Sequence, residues 1–289
     1  MFHIGLKRKN RYLHSLAAVC ACAIMLIAVE PEQAATPTVP LSLDLGFHQM
    51  YNLDFAGAHR TFEAWKARYP EDPLGAASNA AAYLFSEFER MRILELDLFT
   101  DNKRFEQRDK VAPDPEIRNA FERELSKADT IAAKILSQSG EDKDALFARV
   151  LTDGLRGDYS ALIERKKLEG LGYLKSSRTT AEKLLNLDPN YHDAYLALGI
   201  ENYVLGLRSA PTRWMLRLSG AQASKEKGIA NLKITAEKGR YLRPYASLLL
   251  AIAALRDQDT DRARKILNNL AQEFPRNHLY QVELRRLGN

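Results

Sequence analysis

Carboxylates are the chemistry-bearing residues that cluster most in this chain of 289 residues. Glu87, Glu89, Glu95 and Asp97 form one group, and Glu141, Asp142 and Asp144 another. Two acids that flank a bond can hydrolyse it, one donating a proton while the other activates water or attacks. At helical spacing such groups read first as a solvated helix face. The histidines are His3, His14, His48, His59, His192 and His278. None is paired at metal-ligand spacing, and a zinc site needs three or four ligands, so no metal and no cofactor is expected. His48 and His59 are placed to meet across a first helical hairpin. The chain has no Gly-x-Ser-x-Gly, no phosphate-loop pattern and no His-Glu-x-x-His. Gly170-Leu171-Gly172 lacks a third glycine and follows no strand. A noncatalytic protein is expected; an enzyme using scattered acids with His48 or His59 is the alternative.

The elements that would position these groups begin after an export-type start. Lys7, Arg8, Lys9 and Arg11 precede an apolar run from Leu16 to Val29. That run suits a signal peptide and falls short of the roughly 20 residues of a membrane-spanning helix. Residues 1–29 therefore read as a signal peptide or an uncleaved anchor, and 30–43 as a linker broken by Pro31, Pro37 and Pro40. The expected location is periplasmic or secreted, with membrane anchoring if the signal is retained. Both cysteines, Cys20 and Cys22, lie inside the apolar run, so cleavage after it leaves a chain that must be stabilised by packing alone. The formal charge of +5 is too mild for a nucleic-acid protein, which needs a concentrated basic face.

From residue 44 to 289 apolar residues recur at three- and four-residue spacing, and alternating β-branched runs are absent, which predicts helices almost throughout. Expected helices in the middle of the chain run from about 74–96, 115–138, 142–155 and 160–187, with their pairing left open. Ala58-x3-Phe62 is followed by Pro70, and Ala263-x3-Leu267 is followed by Pro275 at the same distance. Between them Tyr195, Leu198 and Gly199 have the spacing of a first repeat helix. On these residues the chain resembles the tetratricopeptide-repeat family, whose unit is two antiparallel helices and a turn. The resemblance is specific for 44–72, 187–206 and 244–276. It implies an all-α array, an α-solenoid, of about six units with insertions near 98–115 and 207–224. Gly46, Gly199 and Ala251 would let paired helices approach, with Ala58 and Ala263 doing so from the other side. Trp65 departs from the family, which usually places alanine there.

The resemblance also implies a groove lined by first helices. Its positions fall on Phe47, Met50 and Tyr51, then Leu196, Ile200 and Tyr203, then Tyr245, Ile252 and Arg256. These are mostly apolar or aromatic. The family's chaperone-binding members place Lys and Asn there, whereas this chain has Ala197, Val204 and Leu249, so a carboxylate clamp is not expected. The groove would take an apolar peptide, helix or lipid, or be covered by the chain's own insertions. In the second insertion Trp214, Met215 and Leu218 can share one helical face, edged by Arg213 and Arg217. That segment could lie on an anionic membrane surface, dock on a partner or pack over the groove. The expected function is a scaffold or adaptor for a protein or peptide partner, with membrane-surface association as an alternative.

Overall fold

The computed structural model describes residues 41–96, 99, 107, 111–206 and 224–288. The expected signal or anchor segment, most of the expected linker and most of both expected insertions lie outside the described residues, as do Arg213, Trp214, Arg217 and Leu218. Among the described residues there are eleven α-helices and no strand. They are α1 (Leu43–Tyr51), α2 (Phe55–Arg68), α3 (Pro73–Arg90), α4 (Pro115–Gln138), α5 (Lys143–Asp158) and α6 (Lys167–Leu187). After them come α7 (Tyr195–Gly206), α8 (Lys225–Lys238), α9 (Arg243–Arg256), α10 (Thr260–Glu273) and α11 (His278–Gly288). A π-turn, Tyr159–Ile163, continues α5, and a short 3₁₀ turn, His192–Ala194, leads into α7. No described helix is long and apolar enough to cross a membrane.

Consecutive helices pack as pairs, α1 on α2 through α9 on α10, and each second helix also packs on the next first helix. This settles the middle of the chain: α3 pairs with α4, and α5 with α6. The result is five hairpins and a closing helix.

Local chemistry explains the regular spacing. After α1, the Asp54 N–H reaches the Gln49 carbonyl while Leu53 sits in the left-handed region at φ 61°. After α9 the same turn recurs, with Asp259 N–H on the Ala254 carbonyl and Gln258 at φ 61°. After α3, Ile93 N–H on the Phe88 carbonyl and Arg92 at φ 58° repeat it again. This is the Schellman helix end, which usually carries glycine. The aspartate that closes the first two turns then caps the next helix: Asp54 accepts from Gly57 N–H and Asp259 from Arg262 N–H. Between units the chain turns differently and just as regularly. Asp72, Asp142 and Asn277 each donate a backbone N–H three residues back, and each side chain accepts from the first turn of the following helix.

Small residues set the pairing distance. A Cβ on Gly46 would overlap the fully buried Phe62 ring, and one on Gly199 would lie 2.9 Å from Leu232. Ala58, Ala251, Ala263 and Leu267 are fully buried at the same contacts. Overfilling such positions costs about 1–3 kcal/mol. Trp65 fits by donating its indole N–H to Asp72 at 2.7 Å and stacking on Tyr69.

Helix α1 meets residues near the C-terminus. The Tyr51 hydroxyl donates to the Tyr241 carbonyl at 3.1 Å, and Asn277 Nδ2 donates to the Tyr51 carbonyl at 2.9 Å. Arg276 N–H is held by Asn52, and Arg240 grips Asp44 with both ends of its guanidinium at 2.7 and 2.8 Å. Phe47 stacks on Tyr241 at 5.0 Å, and Tyr51 lies 5.6 Å from Phe274. These contacts join the first hairpin to the last, across 190 and more residues of sequence.

Candidate binding site

The same closure decides what lies inside. Helices α1, α3, α5, α7 and α9 bring their apolar faces together, and Tyr51, Phe85 and Tyr245 form successive edge-on ring contacts at 6.0 and 5.4 Å. Among the described residues two abutting spaces lie between them. The smaller, of about 50 Å³, is bounded by Phe47, Met50, Tyr51, Phe85, Leu155 and Leu196, among others. The larger, of about 220 Å³, is bounded by Phe88, Leu96, Tyr203, Val204, Leu249 and Ile252, among others. Asp158, Ile200 and Tyr245 belong to both walls, so the spaces abut at those three side chains.

All nine expected groove positions stand on these walls. Phe47, Met50, Tyr51 and Leu196 line the smaller space, Tyr203, Ile252 and Arg256 the larger, and Ile200 and Tyr245 both. They face one another across the interior. Phe47 is 3% exposed and Met50 1%, and Tyr51, Leu196, Tyr203 and Ile252 are also buried. The physical reason is the ring contact of α1 with Tyr241, Phe274 and Asn277, which folds the apolar surface inward. Arg256 donates to the Phe99 carbonyl at 2.8 Å.

Sequence reasoning missed Asp158. It ends α5 one turn after Gly154 and Leu155, on the face that carries Val150 and Leu151. An acid in that register was a detectable signal, since every neighbour at i−3, i−4 and i−7 is a wall residue. Its Oδ2 accepts from the Tyr245 hydroxyl at 3.0 Å, and among the described residues it has no other hydrogen-bond partner. Burial pushes its carboxyl up to about 7, and the Tyr245 hydrogen bond offsets this only in part. Burial likewise holds the Tyr245 and Tyr51 phenols well above their ordinary value. The Tyr203 hydroxyl, buried in the larger wall, has no hydrogen-bond partner among the described residues.

The other expected chemistry resolves into structure. His59 Nδ1 lies 2.7 Å from Asn79 Oδ1, and its ring packs on Tyr83 at 4.0 Å. Asn79 donates to Glu63, and Glu63 and Glu124 hold the buried Lys66 ammonium at 2.8 and 2.6 Å. His48 instead packs against Phe274 at 5.3 Å. Glu87 binds Arg90 with both oxygens and accepts from Asp114 N–H. Glu95 pairs with Arg92 and Asp142 caps α5. Among the described residues no group of three His, Cys, Asp or Glu side chains is placed to hold a metal ion.

No family model, curated protein or solved structure matches this chain.

Proposed function

We propose that the chain is a noncatalytic binding protein built on a tetratricopeptide-type array. On this reading it is a scaffold or adaptor of the cell envelope or of the space outside the cell. It takes the apolar part of its partner into the space enclosed by its first helices. The observation that carries this reading is the larger space, about 220 Å³, walled among the described residues almost wholly by apolar side chains with a few polar groups. That is the usual composition of a ligand pocket, in which apolar walls supply affinity and a few polar groups set orientation. The recurring helix ends at Leu53, Arg92 and Gln258 support the repeat part of the reading. A protein or peptide partner would reach the interior with an apolar side chain or tail, since the nine expected groove residues face inward.

The test is a titration of the purified full chain with Nile red, a neutral apolar dye. Saturable binding with a blue-shifted emission is expected. Leu249→Trp and Ile252→Phe, which place more volume in the larger space, should each weaken it at least tenfold while the helical circular dichroism is unchanged. Dye binding that is absent, or that is indifferent to both substitutions, contradicts the reading.

A further inference from the structure

We propose that the larger space is a site for a small amphiphilic amine, its apolar stem lying along α7 and α9 and its ammonium seated against Asp158. This deepens the binding reading above and rests on it.

The wall supplies both halves of such a guest's complement. Ile200, Val204, Leu248, Leu249 and Ile252 offer a continuous apolar lining for the stem. Among the described residues Asp158 is the one carboxylate on either wall. It is half-buried, and Tyr245, its single described partner, is neutral. A half-buried carboxylate facing an apolar space with one neutral donor has acceptor capacity left over and a charge that no described cation offsets. An ammonium supplies charge and donors together, and charge-assisted hydrogen bonds are about twice as strong as neutral ones. A hydroxyl supplies only the donor, and a carboxylate would be repelled.

The remaining titratable groups on the walls do not replace it. Tyr51 on α1, Tyr203 on α7 and Tyr245 on α9 are held neutral by burial. Arg256 stands eleven residues beyond Tyr245 on α9, about 16 Å along the helix at 1.5 Å per residue, and is bonded to the Phe99 carbonyl. The Tyr203 hydroxyl adds to the same wall a second polar group, one without a hydrogen-bond partner among the described residues.

Binding is linked to protons with a definite sign. Near neutral pH the free protein holds a proton on Asp158 part of the time, whereas the ammonium complex needs the carboxylate. Binding of the amine therefore releases a proton and tightens as pH rises from 6 to 8, until the amine itself deprotonates.

The experiment is calorimetric titration of the full chain with decylamine, decanol and decanoic acid, each below its aggregation limit. At pH 8 decylamine should bind at least tenfold more tightly than decanol, with decanoic acid weakest. The amine-to-alcohol ratio should grow between pH 6 and pH 8, with proton release seen as a buffer-dependent heat. Asp158→Asn should bring the ratio below about twofold and leave decanol affinity within threefold. Equal binding of amine and alcohol, a ratio indifferent to pH, or an advantage that survives Asp158→Asn overturns the amine assignment and leaves the apolar site standing. Binding of none of the three overturns the assignment and the binding reading together. The wild-type pH series decides the matter even if Asp158→Asn does not fold.

Discussion

Two aspartates in this molecule stand in similar helical surroundings and are treated in opposite ways, Asp193 buried and Asp158 half-buried. Asp193, just before α7, accepts backbone N–H groups from Arg240, Tyr241 and Leu242, which begin the turn into α9. Burial raises its pKa, and those three donors pull against the rise. Asp158, inside the ring of first helices, has one phenol. The Lys66 cluster resembles Asp193: burial works against the ammonium, yet Glu124 and Glu63 keep its pKa raised. A buried charge that holds a fold together is surrounded by partners, since an unpaired one costs several kcal/mol. Asp158, half-buried beside an apolar space, has one neutral donor instead, and a titratable group so placed is a candidate for function. The contrast separates the structural acids from the one that faces an apolar space.

The contrast can be broken or sharpened by substitution. Asp193→Ala has the largest expected effect. It strands three backbone donors at the start of α9, and urea unfolding should show a loss of about 3–5 kcal/mol. A loss below about 1 kcal/mol would show that Asp193 is no better used than Asp158.

Asp158→Asn should act in the opposite direction at high pH. The carboxyl has a raised pKa in the folded state, so the folded chain holds a proton that the unfolded chain gives up above pH 4. Stability from this group is fully present below about pH 4 and is lost as pH rises through about 7. Asparagine keeps the bond from Tyr245 and cannot ionise. The variant should therefore exceed the wild type by about 2–4 kcal/mol at pH 8, and lack that slope, in unfolding curves taken from pH 4 to pH 8. A variant less stable than the wild type at pH 8 would mean that the carboxylate is partnered after all.

Tyr245→Phe is the smallest test. It removes the one described donor to Asp158, should cost about 1 kcal/mol, and should move the Asp158 midpoint upward in a carboxyl-carbon NMR titration. A midpoint that falls toward the ordinary aspartate value would show that water has entered in place of the phenol.

Much of the helical frame was readable from residue types, because the units are ended by proline and tightened by small residues. Pro70, Ala58 with Phe62, and the matching Pro275, Ala263 with Leu267 mark the two outer hairpins, and both are built as that pattern implies. The middle was harder for a local reason. There the end of α3 and the end of the π-turn after α5 use Arg92 and Arg165 at positive φ, where glycine would have marked the stop. The expected helix over 74–96 therefore ends early, at Arg90. The expected break before residue 160 is instead a π-turn that carries α5's face on through Tyr159–Ile163. The wall positions were legible from the resemblance, but their inward closure was not. It depends on Tyr51 meeting Tyr241 and Asn277, contacts between segments far apart in sequence. Asp158 was hidden for the same reason: an acid near a helix end looks solvated until the opposite wall is in place.

The most direct measurement is a nuclear Overhauser experiment on the full chain with labelled Ile, Leu and Val methyls and saturating decanol. The account predicts contacts from the alkyl chain to Ile200, Val204, Leu249 and Ile252. Contacts confined to outward-facing methyls such as Leu168, which is 86% exposed, would contradict it.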